Sequence, residues 1–244
     1  MHSTAAVVGI IPARLASTRL ARKALRPIAG VPMIARVYQG ARACGRLRQV
    51  LVATDADEIA AYCRQAAIPI AMTSSAHASG TDRIGEVLAA SPEIEAVVNI
   101  QGDEPMVRAE MLDALLDALF AAPDIEVATL STPLAAAEAD APNIVKVVLD
   151  RRGRALYFSR APIPYPREGP PLYRKHLGYY AYSRRALDAF RAWPAGALET
   201  AERLEQLRFL ENGWPIAVAE TPFDSIGVDT AEDLARVERH FARD

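Results

Sequence analysis

The sequence predicts an α/β protein with a mostly parallel sheet flanked by helices, and two observations carry that prediction. Up to Phe120, short apolar runs rich in β-branched residues alternate with segments of helical periodicity, which is the pattern of right-handed βαβ crossovers. A polar or glycine-containing loop follows each run, and a parallel sheet gathers such loops at its carboxyl edge, where ligands bind. A chain of 244 residues with 51% hydrophobic content can bury a full core, so we expect a single domain over residues 1–244.

Four strands and four helices follow from the local patterns in this part of the chain. The strands are predicted at residues 7–11, 49–53, 68–72 and 96–100. Each is followed by a helix: one from Pro32 to Gly45, one capped within residues 54–57 and running to about Ala67, one running through Leu88, and one over residues 109–120.

After Ile125 the pattern changes to strands with few helices between them, which predicts a small antiparallel extension. These strands are predicted at residues 127–130, 144–149, 155–159 and 176–182, with a proline-rich surface loop at 162–171. Helical periodicity returns at residues 186–193, at 198–210 and after Asp229, and one more strand is predicted at 216–219.

The charge balance and the cysteines exclude several classes of protein. The chain has 28 basic and 30 acidic residues and a formal net charge of −2, which argues against a nucleic-acid-binding protein. Its first apolar run is too short to span a bilayer and lacks the basic flank of a secretion signal, so we expect no membrane partner and a cytoplasmic location. Cys44 and Cys63 lack the spacing of a zinc site, and we expect both to be buried, reduced thiols.

The loop after the first strand concentrates cations and hydroxyl groups. It carries Arg14, Ser17, Thr18, Arg19, Arg22 and Lys23. With backbone N–H groups between them, these side chains can form a cradle for a polyanion such as a nucleoside triphosphate. A solvated basic loop is the alternative on charge alone, but the position at the end of the first strand favours an anion site.

A second loop begins a helix with the sequence Ser-Gly-Thr-Asp-Arg at residues 79–83. Gly80 would let a ligand approach backbone groups that could read the edge of a base. The alternative is a simple helix cap, with Ser79 or Thr81 as the N-cap residue.

Two aspartates follow the same logic at two further loops. Asp103, after the fourth strand, projects from the sheet edge that carries the basic loop, and a carboxylate facing a triphosphate needs a cation between them, which suggests Mg²⁺. Asp229 lies in a similar Gly-Val-Asp-Thr segment near the C-terminus. Each has an alternative role as a helix cap, Asp103 ahead of Pro105 and Asp229 for the last helix.

Nine motifs, in order along the chain, carry a family resemblance. They read IIPARLASTRL, VLVATD, HASGTDRI, VVNIQGDEP, NIVKVV, ALYFSRAPIPY, KHLGYYAY, LEQLRFLENG and GVDTAEDLARV. Together they closely resemble the 3-deoxy-D-manno-octulosonate cytidylyltransferases, or CMP-Kdo synthetases, over nearly the whole chain. The resemblance implies a Rossmann-like nucleotidyltransferase fold with a small extension that helps form a homodimer. It also implies the reaction of CTP and Kdo to CMP-Kdo and pyrophosphate, with Mg²⁺, in lipopolysaccharide synthesis of a Gram-negative bacterium.

The resemblance also implies roles for individual residues. Those that match the triphosphate-binding loop are Arg14, Ser17, Arg19 and Lys23. Those that match the cytidine side of the CTP site are Ser79, Gly80, Arg83 and Gln101, and those that match the metal ligands are Asp103 and Asp229. Segments that look like the Kdo pocket contain Arg160, His176, Tyr179, Glu205 and Gln206. Catalysis is then expected to depend on Arg14, Arg19, Lys23 and the two aspartates.

In one place the chain departs from the family pattern. Ala21-Arg22 stands where the family usually has Pro-Gly. The missing glycine removes backbone freedom from a loop that must wrap phosphate, so the geometry around Lys23 is where this chain is expected to differ.

Other functions compete with this interpretation. A CMP-sialic acid synthetase would keep the PAR loop and the aspartates but should lack FSRAPIPY and LEQLR, which are present here. A cytidylyltransferase for 8-amino-Kdo stays open, because a single pocket side chain could read one exchanged group on the sugar. A non-catalytic nucleotide-binding domain should have lost a metal ligand or a phosphate-binding cation, and none is missing from the sequence.

Overall fold

The structure is a computed structural model that describes residues 6–15, 20–77, 79–169 and 172–242. The described chain divides into two compact units. Unit 1 comprises Met1–Asp113 and Ser225–Asp244, and unit 2 comprises Ala114–Asp224. In sequence, unit 2 is therefore an insertion in unit 1.

Parallel strands form the sheet of unit 1. Its first part contains strands β1 (Val7–Ala13), β2 (Pro27–Ile28), β3 (Val31–Pro32), β4 (Gln49–Thr54), β5 (Ile70–Met72) and β6 (Ala96–Asn99), and helices α1 (Met33–Arg42), α2 (Asp57–Gln65), α3 (Gly80–Ala89) and α4 (Ala109–Leu119). Strands β6, β1, β4 and β5 pair in that order, all parallel, while β2 and β3 form a separate antiparallel hairpin. The predicted alternation of strands and helices is confirmed.

The central position of β1 follows from its composition. Val7, Val8, Ile10 and Ile11 are at most 5% exposed, as expected for a parallel strand covered on both faces. Because β1 lies between β6 and β4, the loops after these three strands emerge beside one another.

Unit 2 is built mainly from antiparallel strands. It contains strands β7 (Val127–Leu134), β8 (Lys146–Leu149), β9 (Ala155–Ser159), β10 (Tyr173–Ser183) and β11 (Ile216–Glu220), and helices α5 (Arg184–Ala192), α6 (Ala197–Glu202) and α7 (Leu207–Glu211). Strand β10 pairs antiparallel with β7 and β8, and β8 pairs antiparallel with β9. Strand β11 pairs parallel with β7. The predicted antiparallel extension is confirmed.

One helix prediction in unit 2 is wrong. Residues 198–210 were predicted as one helical segment, but the helix ends at Glu202 and a second one starts at Leu207. Arg203 between them adopts a left-handed conformation with φ of 53°, which stops the helix. Periodicity alone does not reveal this break, because the apolar residues keep helical spacing across it.

Helix α8 (Ala231–Phe241) returns to unit 1 and completes its core. Val237 of this helix is fully buried in a cluster with Leu20, Ile28, Met33 and Val228. The packing of α8 fixes the segment that carries Asp229. In the described ranges, every helix is too short or too polar to traverse a bilayer.

Candidate functional site

Two segments of unit 1, the start of α3 and the loop after β6, meet the carboxyl end of β1 around Pro12. A Cβ atom on Gly102, in the loop after β6, would lie 2.9 Å from the Pro12 carbonyl oxygen, so only glycine fits there. A Cβ atom on Gly80, the first residue of α3, would lie 3.1 Å from Pro12 Cγ. The end of β1, the start of α3 and the loop after β6 therefore lie side by side, as expected for the ligand site of an open α/β sheet.

Asp103 and Asp229 are joined both by the backbone and by a shared cation. The Val228 N–H donates to the Asp103 carbonyl oxygen at 2.9 Å. The Lys23 ammonium lies 2.7 Å from Asp103 Oδ2 and 2.9 Å from Asp229 Oδ1. The structure thus brings together the two aspartates that the sequence predicted would meet.

Neither aspartate is the N-cap of a helix, so the structure does not support the capping role considered for each. Thr230 is the N-cap of α8, where its Oγ1 accepts from the Asp233 N–H at 3.1 Å and its own N–H donates to Asp233 Oδ2 at 3.0 Å. Helix α4 begins only at Ala109, too far beyond Asp103 for that side chain to cap it. Both carboxylates contact the Lys23 ammonium instead.

The Lys23 side chain is 17% exposed and lies between these two carboxylates. Burial alone would lower the pKa of Lys23, but Coulombic attraction and hydrogen bonds from Asp103 and Asp229 outweigh burial and raise it. The ammonium group therefore stays charged. The sequence assigned Lys23 to the triphosphate, whereas in this structure its partners are the carboxylates.

Arg22 sets the backbone direction from which Lys23 extends. It adopts the left-handed conformation, with φ of 56° and ψ of 35°, directly before a short 3₁₀ turn at Lys23–Leu25. This is the position at which the family pattern predicts glycine, so the loop has the shape that glycine favours although an arginine occupies it. The Arg22 guanidinium pairs with Glu58.

The carboxylate pair fits a divalent cation in charge and in donor type. Among the described residues, no group of three or more His, Cys, Asp and Glu side chains is arranged to hold a metal ion. Mg²⁺, however, commonly takes one or two carboxylates and completes its shell with phosphate oxygens and water. The Lys23 ammonium, in contact with both carboxylates, shows that a cation is favoured at this point.

A capping box holds the first turn of α3. Ser79 Oγ accepts from the Asp82 N–H at 3.1 Å, and the Ser79 N–H donates to Asp82 Oδ2 at 3.2 Å. Ser79 is therefore the N-cap, one of the two residues considered for that role. The Arg83 guanidinium contacts Thr73 and lies 3.3 Å from Asp55 Oδ1, so it ties together the segments that follow β4 and β5.

Glu86 of α3 contacts the loop that precedes this helix and holds it in place. Its Oε2 accepts from the Ser74 N–H at 2.9 Å and contacts His77 Nε2. The hydrogen bond from Ser74 and the contact with His77 lower the pKa of Glu86. Sequence reasoning missed Glu86, because nothing in the spacing of residues 74, 77 and 86 reveals a shared contact.

The remaining predicted residues of unit 1 complete this picture. Gln101 Nε2 lies 3.4 Å from Asn99 Oδ1, and Arg14 is exposed at the end of β1. Ser17 and Arg19, which the sequence assigned to the triphosphate, lie outside the described residues.

In unit 2, three backbone carbonyl groups hold the Arg160 guanidinium. Nε donates to Glu202 O at 2.8 Å, Nη1 to Pro142 O at 3.0 Å and Nη2 to Arg203 O at 3.5 Å. The Arg160 N–H also donates to Glu202 Oε2 at 2.9 Å. In this structure Arg160 joins β9 to the end of α6, and its contact with a sugar carboxylate stays a prediction.

His176 lies in a cluster of aromatic and hydroxyl groups. Its Nε2 is 3.0 Å from Thr129 Oγ1 and 2.9 Å from Tyr180 Oη, and its ring meets Phe158 edge-on with centroids 5.0 Å apart. Burial lowers the pKa of His176 to about 3, so the imidazole is neutral at neutral pH. Tyr179 is fully buried, an environment that does not favour contact with a sugar.

Glu205 and Gln206 differ in their exposure. Glu205 is exposed, whereas Gln206 is 7% exposed and its Nε2 has no hydrogen-bond partner among the described residues. A buried amide donor without a partner costs free energy, which an oxygen atom of a ligand would recover.

Lys146 in β8 is a structural residue that sequence reasoning missed. It is fully buried, and its ammonium donates to the carbonyl oxygens of Ala141 at 3.2 Å, Ile144 at 2.7 Å and Arg160. Burial lowers the pKa of Lys146. The available signal was a lysine within the apolar run of residues 144–149, because a buried ammonium group must find hydrogen-bond acceptors.

Comparison with known proteins gives consistent matches over nearly the whole chain. The family model described as "Cytidylyltransferase" matches residues 8–221. The chain is 55% identical to the 3-deoxy-manno-octulosonate cytidylyltransferase of Acidobacterium capsulatum, over 96% of this chain and 95% of that protein. It is 52% identical to the enzyme of the same name from Koribacter versatilis, over 96% and 90% of the two chains.

A solved structure gives the same result for the fold. A CMP:2-keto-3-deoxy-manno-octonic acid synthetase complexed with CTP superimposes with a TM-score of 0.93 and 41% identity, over 97% of this chain and 98% of the other. The predicted Rossmann-like nucleotidyltransferase fold is confirmed.

Proposed function

The chain belongs to the cytidylyltransferase family, and on that premise we propose that it transfers CMP from CTP to 3-deoxy-manno-octulosonate (Kdo). The anomeric hydroxyl of Kdo gives up its proton to solvent as its oxygen forms a bond to the α-phosphorus of CTP, and the bond from that phosphorus to the β-phosphate oxygen breaks. Pyrophosphate leaves, and the product CMP-Kdo is the activated sugar for lipopolysaccharide synthesis.

The convergence of Asp103, Asp229 and Lys23 at the end of β1 is the observation that carries the mechanism. Both substrates are anionic, since Kdo has a carboxylate, so the enzyme must supply positive charge and hold the reacting groups in line. The two aspartates would hold Mg²⁺, which when bound neutralises phosphate charge and lowers the pKa of a hydroxyl that it contacts.

The basic loop neutralises the leaving group. We assign Arg14, Arg19 and Lys23 to the β- and γ-phosphates, where negative charge accumulates as pyrophosphate departs. Arg14 is exposed and follows β1 directly, at the strand end that Gly80 and Gly102 approach, which supports this assignment.

The start of α3 reads the base. The Ser79 side chain and N–H are occupied by the capping box, so we assign recognition of cytosine to the Ser79 carbonyl, the backbone of Gly80 and the Gln101 amide. The cap and the contacts of Arg83 hold this backbone still, which suits a site that must distinguish one base from another.

A homodimer and a cytoplasmic location complete the proposal. Leu156, Tyr165 and Leu172 of unit 2 are 62%, 83% and 72% exposed, and a subunit interface would cover such apolar side chains. CTP is made in the cytoplasm, and the thiols of Cys44 and Cys63 are buried and not joined in a disulfide, as a reducing compartment favours.

Replacing each aspartate by asparagine tests the metal assignment. We expect Asp103→Asn and Asp229→Asn each to lower kcat at least about 100-fold, because the change removes a full negative charge from a hard-cation site. Steady-state turnover of CTP with Kdo measures the effect, and 8-amino-Kdo as a second substrate tests the sugar assignment. The thermal midpoint is the control, since neither side chain caps a helix. Near-normal turnover of either variant would remove that aspartate from the metal site.

A further inference from the structure

We propose that the Lys23 ammonium takes the place of the metal ion in the metal-free enzyme, where it holds Asp103 and Asp229 together. The ammonium leaves the two carboxylates when metal and nucleotide bind. The inference rests on the proposed function, because it takes these carboxylates as the metal ligands.

The backbone holds together the two loops that carry the carboxylates. The hydrogen bond from the Val228 N–H to Asp103 O joins the two loops, and the packing of Val237 in α8 holds the second loop in place. The aspartate side chains are only 32% and 42% exposed, so water screens their repulsion incompletely. A positive charge between them therefore stabilises the apoprotein.

Lys23 supplies this charge with the geometry of a bridging ion. One nitrogen contacts an oxygen of each carboxylate, at 2.7 Å and 2.9 Å. A second lysine ion pair lies in unit 2, where Lys175 Nζ is 2.7 Å from Asp224 Oδ1. It provides a matched control, because Lys175 is not one of the residues placed at the proposed metal site.

Lys23 and a divalent ion cannot share these oxygens. Mg²⁺ binds oxygen at about 2.1 Å, and an ammonium group in contact with the same two oxygens would lie within a few ångströms of a doubly charged cation. The four-carbon stem of lysine allows its charge to swing to a new partner, and the triphosphate that arrives with the metal is such a partner. The predicted contact of Lys23 with phosphate and its observed contact with carboxylates are then two stages of one cycle.

Binding of metal in the absence of nucleotide tests the exchange. Mn²⁺ is titrated into the full-length protein without CTP, and free Mn²⁺ is measured by electron paramagnetic resonance. Lys23→Met keeps the length of the side chain but removes the competing charge, so we expect it to bind Mn²⁺ at least about tenfold more tightly than wild type. Lys23→Gln should change affinity in the same direction, and Lys175→Met, the matched control, should bind as wild type does.

Thermal unfolding gives a second readout that does not depend on activity. With a chelator present, Lys23→Met should melt below wild type, because its carboxylates repel each other, whereas Lys175→Met should not show this dependence on metal. Added Mn²⁺ should raise the midpoint of Lys23→Met more than that of wild type.

Two sets of outcomes separate this inference from the proposed function. Equal or weaker Mn²⁺ binding by both Lys23 variants, while Asp103→Asn and Asp229→Asn lose Mn²⁺ binding, would overturn the exchange and leave the metal site standing. Unchanged Mn²⁺ binding by both asparagine variants in the presence of CTP would overturn the metal site, and the exchange with it.

Discussion

At residue 22 the chain carries an arginine in a backbone conformation that glycine adopts without cost, with φ of 56°. A residue with a Cβ atom loses roughly 1–2 kcal/mol in this conformation. We therefore expect Arg22→Gly to be more stable than Arg22→Ala by about 1 kcal/mol in the free energy of unfolding, measured in urea.

Comparing glycine with alanine removes the contact of Arg22 with Glu58 from the result, because both variants lack it. The 3₁₀ turn that carries Lys23 should keep its shape in the glycine variant, so turnover should stay at the wild-type level. Equal stability of the two variants would show that residue 22 is not strained in solution.

His176 predicts a dependence of stability on pH. Its pKa is about 3 in the folded protein, against an ordinary value of 6.5, because burial disfavours the charged imidazolium. Between these values the unfolded chain binds a proton that the folded protein does not, so stability falls as the pH drops below 6.5. From pH 7 to pH 5, His176→Gln should lose about 2 kcal/mol less than wild type in the free energy of unfolding.

Urea unfolding at the two pH values measures this difference, and the comparison cancels any packing defect of the variant that is the same at both. If wild type and His176→Gln lost the same free energy of unfolding between the two pH values, His176 would be protonated in the folded protein as readily as in the unfolded chain. The groups that contact the imidazole are the uncharged hydroxyls of Thr129 and Tyr180, which do not favour its protonation. Both hydroxyls are retained in the variant.

At the scale of elements, the loop between β5 and α3 depends on one carboxylate of the helix that follows it. Glu86 accepts from the Ser74 N–H and contacts His77. We expect Glu86→Ala to raise KM for CTP roughly fivefold, with little change in KM for Kdo, because the loop leads directly into Ser79 and Gly80. Glu86→Gln should have a smaller effect, since its amide oxygen can still accept from Ser74.

Steady-state kinetics with each substrate varied in turn measures this effect, and Glu110→Gln on the exposed surface of α4 is the control. The pKa of Glu86 is lowered in the folded protein, so this contact is complete above the ordinary value of 4.5 and is lost only as the pH falls through the lowered value. If Glu86→Ala raised both KM values equally, the loop would not belong to the nucleotide side alone.

The same scale shows which parts of the site could be predicted from sequence. The meeting of Asp103 and Asp229 was predictable, because Asp103 follows a strand of the parallel sheet and the family resemblance assigns both residues to the metal. The partners of Lys23 were not, since they depend on the left-handed backbone of Arg22, a conformation that sequence patterns assign to glycine. The helix break at Arg203 was missed for the same reason.

The sequence also does not reveal which polar side chain caps a helix or fills a given hydrogen-bonding position. Ser79 and Thr230 cap their helices, and the serine had been considered for this role while the threonine had not. Several predicted contacts of unit 2 involve residues whose polar groups already have protein partners, as Arg160 does. Such partners come from distant segments of the chain, which no local pattern encodes.

At the scale of the molecule, the expected single domain corresponds to two compact units in one chain. Helix α4 runs without a break across the division between Asp113 and Ala114, and unit 1 is complete only with the residues after Asp224. We propose that the two units unfold together, in one cooperative transition.

The two tryptophans, Trp193 and Trp214, both lie in unit 2, so their fluorescence reports on that unit. Val237→Ala removes two methyl groups from the core of unit 1 and should cost about 2 kcal/mol. If the units are coupled, the fluorescence midpoint in urea falls together with the circular dichroism midpoint. An unchanged fluorescence midpoint beside an earlier circular dichroism transition would show two independent domains.

The hydrogen bond between Val228 and Asp103 has a consequence for the synthesis of the protein on the ribosome. Asp103 and Lys23 are made early, but the second carboxylate is made only after the whole of unit 2. A chain that stops within unit 2 therefore contains the basic loop and Asp103 but lacks Asp229. On the proposed function, a shortened product of this gene that ends before Asp229 lacks one of the two metal-binding carboxylates, and we expect it to be inactive.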